Sequence, residues 1–189
     1  MARPKPAFSF DLTLTQFAVP ASTYLASHPS SPPFQGIATG ALIFAPDGQL
    51  LLVQRAPTDS SPDLWEIPGG GVDPADATIL HGVAREVLEE SGLTVTHFKR
   101  SVPAAGEGAP LGRAFVTSRG VRVVRFEFEV EVRGGEEVKL DESEHQRFAW
   151  VREEECRAKM LKEGSRFEFT GRAQQESILE GFRLRKEGV

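Results

Sequence analysis

The chain has 189 residues, of which 40% are hydrophobic and 26% charged, and its formal net charge is -5. That is enough chain for one domain with a real core, and the negative sign argues against a broad grip on a nucleic-acid polymer, which needs clustered Lys and Arg. Cys156 is the single cysteine; it excludes an intrachain disulfide and, set in a surface-like run of Glu and Arg, is not expected to be a nucleophile.

Asp11 and the threonines around it interrupt any apolar stretch near the amino terminus. No secretory signal is therefore expected, and no window approaches the roughly 18 apolar residues of a membrane span. A cytoplasmic location is the resulting expectation. Residues 8–19 alternate weakly and predict an edge strand or a cover segment. Residues 27–35 hold Pro29, Pro32, Pro33 and several serines and predict a loop. Residues 1–35 are thus an amino-terminal extension ahead of a main domain over 36–189. Whether the extension closes a pocket or builds a homodimer is left open by the sequence.

Ile37 to Phe44 and Leu50 to Gln54 are apolar runs separated by Asp47-Gly48, which predicts a hairpin. Leu64 to Ile67 predicts a short strand halted by Pro68-Gly69-Gly70-Gly71. The pattern turns helical from about Asp76 to Ser91, and Gly92 is a natural stop. Leu93 to Phe98 fits a strand and 103–114 a loop. From Val121 to Arg133, Phe126, Phe128, Val130 and Val132 alternate with Arg125, Glu127, Glu129 and Glu131, which predicts a strand with one buried and one wet face. Arg147 to Val151 predicts a further strand, and Glu153 to Leu161 and Arg172 to Leu184 predict helices. There is no internal repeat. The class is α/β or α+β with a mixed sheet.

The chemistry concentrates between Trp65 and Leu93. At about 100° per residue, Glu86, Glu89 and Glu90 fall within an arc of roughly 100° on the predicted helix. Leu80, Val83, Ala84 and Val87 form the adjacent apolar stripe. The acids repel one another at i,i+3 and i,i+4 and lie where the helix dipole prefers cations. A divalent cation turns that cost into a site, and magnesium is the natural candidate because it takes hard oxygen ligands and bridges to phosphates. The competing reading is a solvated acidic face, with Arg85 relieving Glu89. The three glycines ahead of the helix favour the site, since backbone there approaches a ligand closely.

Arg85-Glu86-Val87-Leu88-Glu89-Glu90-Ser91-Gly92-Leu93 resembles the second half of the Nudix box, R-E-U-x-E-E-x-G-U with U a bulky apolar residue, at every defined position. Trp65 to Gly70 resembles the strand and turn that usually precede the box. The first half departs from the pattern. In one register Gly71 is the box glycine and Ala77 replaces the first Glu. In the other, preferred because Val72-Asp73-Pro74 resembles the usual turn, Gly70 is the box glycine, Asp76 replaces the Glu and one residue is inserted before Arg85.

The resemblance implies a Nudix fold, a mixed β-sheet sandwiched between α-helices, covering residues 37 to about 160 well. It implies magnesium-dependent hydrolysis of a diphosphate linkage in a small nucleoside diphosphate-X substrate, with manganese as an alternative ion. Carried over by residue, Glu86 and Glu90 would be the main metal ligands, Glu89 a further ligand, and the Gly69 or Gly70 carbonyl a backbone ligand. Arg85 would orient the carboxylates. The general base would be a box Glu or an acid of the later loop holding Asp141, Glu142 and Glu144, of which Glu144 is the choice; the alternative there is a charged turn.

Two further positions are substrate-binding candidates. Arg55 ends a strand and can contact phosphate or serve as an edge charge. Trp65 can stack on a base or pack in the core. His28, His81, His97 and His145 show no metal-ligand spacing, and no G-x-S-x-G nucleophile elbow is present. Two other functions compete with hydrolysis: an inactive Nudix-like module that senses a nucleotide, and an acidic protein-interaction face.

Overall fold

The computed structural model describes residues 7–103, 112–135 and 137–188. The chain runs through β1 (Ser9–Phe10), a 3-10 turn (Leu12–Phe17), α1 (Ala21–Ser27), β2 (Gly36–Ile43), β3 (Leu50–Arg55), β4 (Trp65–Glu66) and α2 (Ile79–Ser91). It continues through β5 (Val95–Val102), β6 (Gly112–Val116), β7 (Arg122–Val132), β8 (His145–Val151), α3 (Glu153–Ala158) and α4 (Arg172–Glu187). The first sheet has the order β1-β5-β7-β2, with β6 also on β7, and the second has the order β4-β3-β8. β2 lies parallel to β7, whereas β5 and β6 are antiparallel to it. The fold is the expected α/β class with a mixed sheet.

Two apolar cores flank the strands. Ile79, Leu80, Val83, Ala84 and Val87 of α2 pack with Ile37, Ala41, Ile43, Phe98, Phe126, Phe128 and Val130. Leu42, Leu50, Leu52 and Val151 pack instead against Cys156, Ile178 and Phe182 from α3 and α4. Strands between two helical layers are buried on both sides, which is why β2 and β3 are continuous apolar runs. The segment over residues 9–28 belongs to the first core, because Leu14 and Phe17 are fully buried there. Among the described residues, no helix is long and apolar enough to cross a membrane.

Several sequence expectations are corrected. β2 and β3 do not form a hairpin. The Asp47-Gly48 turn exists, with Ala45 N–H donating to Gln49 O at 2.8 Å, but one Phe44–Leu50 bridge is all that joins the strands before they enter separate sheets. The eight-residue register with β7 outcompetes local pairing. Residues 104–111 of the expected 103–114 loop lie outside the described residues, and Gly112–Val116 is a strand.

The polar face of β7 is wet at Glu131 but not at its two central acids. Glu127 and Glu129 are 4% and 1% exposed. Lys99 and Arg100 on β5 and Arg185 on α4 surround Glu129. Cys156 is buried rather than superficial, and burial pushes its thiol up to about 12, which leaves it inert.

Candidate active site

The glycine-rich turn is fixed by the edge of β2. Thr39 N–H donates to Gly70 O at 2.8 Å, Ala41 N–H to Pro68 O at 2.8 Å, and Val72 N–H to Ile37 O at 2.9 Å. Residues 68–72 therefore run along β2 almost as a further strand. Gly69 has φ +152, and a Cβ there would meet the backbone of Thr39 and Gly40. No side chain fits that position. A Cβ on Gly70 would lie 2.7 Å from the Glu86 carboxyl, so Gly70 allows the acid to rest against the main chain.

α2 delivers the acids to this turn. Thr78 caps it, accepting from His81 N–H at 3.2 Å, and Gly92 ends it in the left-handed conformation at φ 70. The helix therefore begins after Asp76, and residues 73–77 form a turn. The apolar stripe docks on the sheet, and the acidic stripe emerges beside Gly69 and Gly70. Glu90 is 5% exposed and accepts the Gly69 N–H at 2.8 Å. Burial holds its carboxyl well above the usual carboxylate range, against the Gly69 hydrogen bond, and Glu66, Glu86 and Glu144 add repulsion. Glu86 is also raised by burial, although Arg85 opposes the shift. Glu89 is the most open of the three, with its side chain 36% exposed.

Arg85 gathers this cluster. It donates to both carboxylate oxygens of Asp76 at 3.0 and 2.9 Å, to Glu86 at 2.9 Å, to Glu89 at 3.0 Å and to Gly71 O at 2.9 Å. Asp76, the acid of the register that inserts one residue, is thus the one that reaches Arg85. A bidentate arginine–carboxylate pair locks the guanidinium plane, and Asp76 also accepts the Asp73 N–H at 2.8 Å, which fixes the turn.

The loop before β8 faces the helix across a cavity of about 430 Å³ lined by Leu88, Glu89, Asp141 and Glu144. Asp141 is committed to its own turn, accepting from Ser143 N–H at 2.9 Å and Ser143 Oγ at 2.6 Å. Glu144 instead approaches Glu90. Potential ligand atoms of Glu90, Glu144 and His145 lie within 4.8 Å of one another.

The two substrate-binding candidates fare differently. Trp65 is 2% exposed and packs against Phe167 with ring centroids 5.9 Å apart, so the core reading replaces base stacking. Arg55 pairs with Asp59 at 2.5 Å and with Glu66. It still lines a cleft of about 350 Å³ together with Glu66, Arg113, Phe115, Arg125, Glu127 and Gln174.

Sequence reasoning missed Glu66 and His145, both buried at the site. Each was hidden by a neighbour: Glu66 by Trp65, which strand alternation places on the opposite face, and His145 by Glu144, read as the end of a loop. The period-two rule applied to Trp65-Glu66-Ile67 is the signal that would have found the first.

Comparisons with known proteins show the family. The family model described as NUDIX domain matches residues 34–170. A MutT-like protein of Streptomyces ambofaciens is 39% identical over 66 residues, 35% of this chain and 40% of that protein, so the chain spans well under half of the curated relative it matches. The crystal structure of a MutT protein from Methanosarcina mazei Go1 superposes with a TM-score of 0.59 at 27% identity, covering 80% of this chain and 95% of that one. An ADP-ribose pyrophosphatase from Streptococcus suis shares the fold at 23% identity and a TM-score of 0.54, over 80% of this chain and 92% of that one. With the family model spanning most of the chain and the box acids gathered around a glycine turn, the chain belongs to the Nudix hydrolase family.

Proposed function

We propose that this protein is a divalent-cation-dependent hydrolase that cleaves a diphosphate linkage in a small nucleoside diphosphate-X substrate, with magnesium as the working ion. One observation carries the reading: Glu86 and Glu90 are carboxylates turned inward beside Gly69 and Gly70, and Arg85, which pairs with Glu86, is shared with Asp76 and Glu89. An oxygen-rich, electron-rich pocket short of positive charge fits a hard divalent cation.

In this reading Glu86 and Glu90 would hold the ion, Glu89 would add a further oxygen, and the carbonyl of Gly69 or Gly70 would complete the protein's share. A divalent ion held there would neutralise phosphate charge and supply Lewis-acid activation to the diphosphate. Arg85 keeps the box carboxylates in register and Asp76 keeps Arg85 in plane. Glu144, exposed on its loop and close to Glu90, accepts the proton of the attacking water. The water oxygen bonds to phosphorus as the bridging P–O bond breaks. The cleft beside Arg55, Arg113 and Arg125 seats the rest of the substrate, with Phe115, 40% exposed, offering an aromatic face. Arg55 serves there chiefly by positioning Glu66.

The test is a hydrolysis screen over nucleoside diphosphate sugars, dinucleoside polyphosphates and nucleoside triphosphates with magnesium and with manganese. The expected result is metal-dependent release of phosphate or a nucleoside monophosphate from at least one class. Binding of a nucleotide with no turnover under any ion would replace the hydrolase with a sensing module.

A further inference from the structure

The box supplies oxygen donors, yet a nitrogen base is buried among them. His145 opens β8 directly after Glu144 and is 2% exposed. One of its ring nitrogens lies within 4.8 Å of carboxylate oxygens of both Glu90 and Glu144. Its Nε2 stands 3.6 Å from Glu66 Oε1, while Nδ1 is buried without a hydrogen-bond partner. Glu66 is itself buried and paired with Arg55.

A buried ring nitrogen without a partner is costly unless something absent from the protein alone satisfies it. A histidine that binds a metal commonly has its ring fixed by a carboxylate on the far nitrogen. His145 has carboxylates within reach for both roles: oxygens of Glu90 and Glu144 within 4.8 Å of a ring nitrogen, and Glu66 Oε1 3.6 Å from Nε2. We propose that His145 donates a ring nitrogen to the divalent ion held at Glu90 and Glu144, with Glu66 setting the ring's orientation. The inference rests on the metal-dependent reading of the site and extends it by one ligand that the box does not contain.

The consequence concerns which ion the site prefers. Magnesium, calcium and manganese suit oxygen donors, whereas imidazole nitrogen suits later transition metals such as nickel, copper and zinc, and cobalt stands above manganese in the general order of affinity. A mixed oxygen and nitrogen set therefore favours transition metals beyond what the carboxylates alone would give.

Pulsed electron paramagnetic resonance on the full chain loaded with Mn2+ reads the ligand directly. The expected spectrum shows coupling to an imidazole nitrogen that changes on incorporating 15N-histidine and vanishes in His145→Gln. Bound Mn2+ with no histidine coupling would overturn this inference and leave the hydrolase reading standing, whereas failure to bind any Mn2+ would sink both. Titration provides a second arm: His145→Gln should weaken Co2+ binding by at least about 10-fold and Mg2+ binding by less than about 3-fold. Equal losses for the two ions would mean that His145 acts only on local packing, and the proposal would fall. Should His145→Gln not fold, the isotope comparison on the unmodified protein still decides.

Discussion

On β7, Glu127 and Glu129 are almost wholly buried, and each is met by cations. Glu129 has Arg185 at 2.7 Å, Arg100 at 2.9 Å and Lys99 at 3.8 Å. Glu127 has Arg125 at 3.2 Å, Arg113 at 3.5 Å and the Gln174 amide at 3.3 Å. On α2, Glu90 is as buried as these but rests on a backbone N–H, with Glu66, Glu86 and Glu144 as its charged neighbours. The first region neutralises its acids within the protein, as a structural network does. The second divides Arg85 among Asp76, Glu86 and Glu89 and sets Glu90 against other acids, an arrangement that makes sense when a cation from solution supplies further charge.

The sharpest way to break this comparison is to remove one acid from each region. Glu129→Gln strips the shared partner from Arg100 and Arg185, and breaking a buried pair in this way costs about 3–5 kcal/mol of stability. Denaturant unfolding should show that loss, while turnover per folded molecule stays near wild type. A loss under about 1 kcal/mol would mean that the β7 network is not structural in the sense argued.

Glu86→Gln and Glu90→Gln should behave in the opposite manner. Each is expected to cut turnover by at least about 10²-fold, the scale of losing a key electrostatic or acid–base group. Neither should weaken the metal-free fold, because the substitution removes a desolvated charge while keeping the side chain's shape. Turnover like that of wild type in either variant would remove the ligand assignment; unfolding of both would erase the contrast with β7.

Asp76→Asn tests the altered half of the box. The change keeps size but weakens the bidentate grip on Arg85, which leaves the guanidinium free to tilt away from Glu86 and Glu89. Outer partners of this kind typically set metal affinity by about 10-fold or more. Calorimetric titration with Mg2+ should show that loss, and unchanged affinity would make Asp76 a turn residue alone.

The helix of the box, its glycine stop and the convergence of three acids were legible because they follow from local periodicity and from a short motif. Sheet membership was less so: the Asp47-Gly48 turn announced a hairpin, but β2 and β3 chose partners far away in sequence. The β7 acids misled for a related reason. Alternation reports that one face differs from the other, not that the polar face meets water, and here β5 and α4 cover it with arginine. His145 was invisible because its place beside Glu90 depends on how β8 meets α2, a distance that no spacing along the chain encodes.

The smallest expected effect is also the one that ties the two regions together. Glu86 and Glu90 have folded-state pKa values raised above 4.5, first by burial. Such groups bind protons more tightly when folded, so their contribution to stability is full below about pH 4.5 and fades as pH rises through the raised values. These two groups should therefore subtract from the metal-free protein's slope of stability against pH between acid and neutral, and Glu90→Gln should shift that slope upward. Ion binding must displace the proton that burial favours, so Mg2+ should raise Tm more at pH 8 than at pH 5. The same titration on Glu129→Gln should keep that subtraction, because the acids that produce it are on α2. A Glu90→Gln variant with the full wild-type slope would show that burial at α2 is not what the protein relieves by taking up a cation.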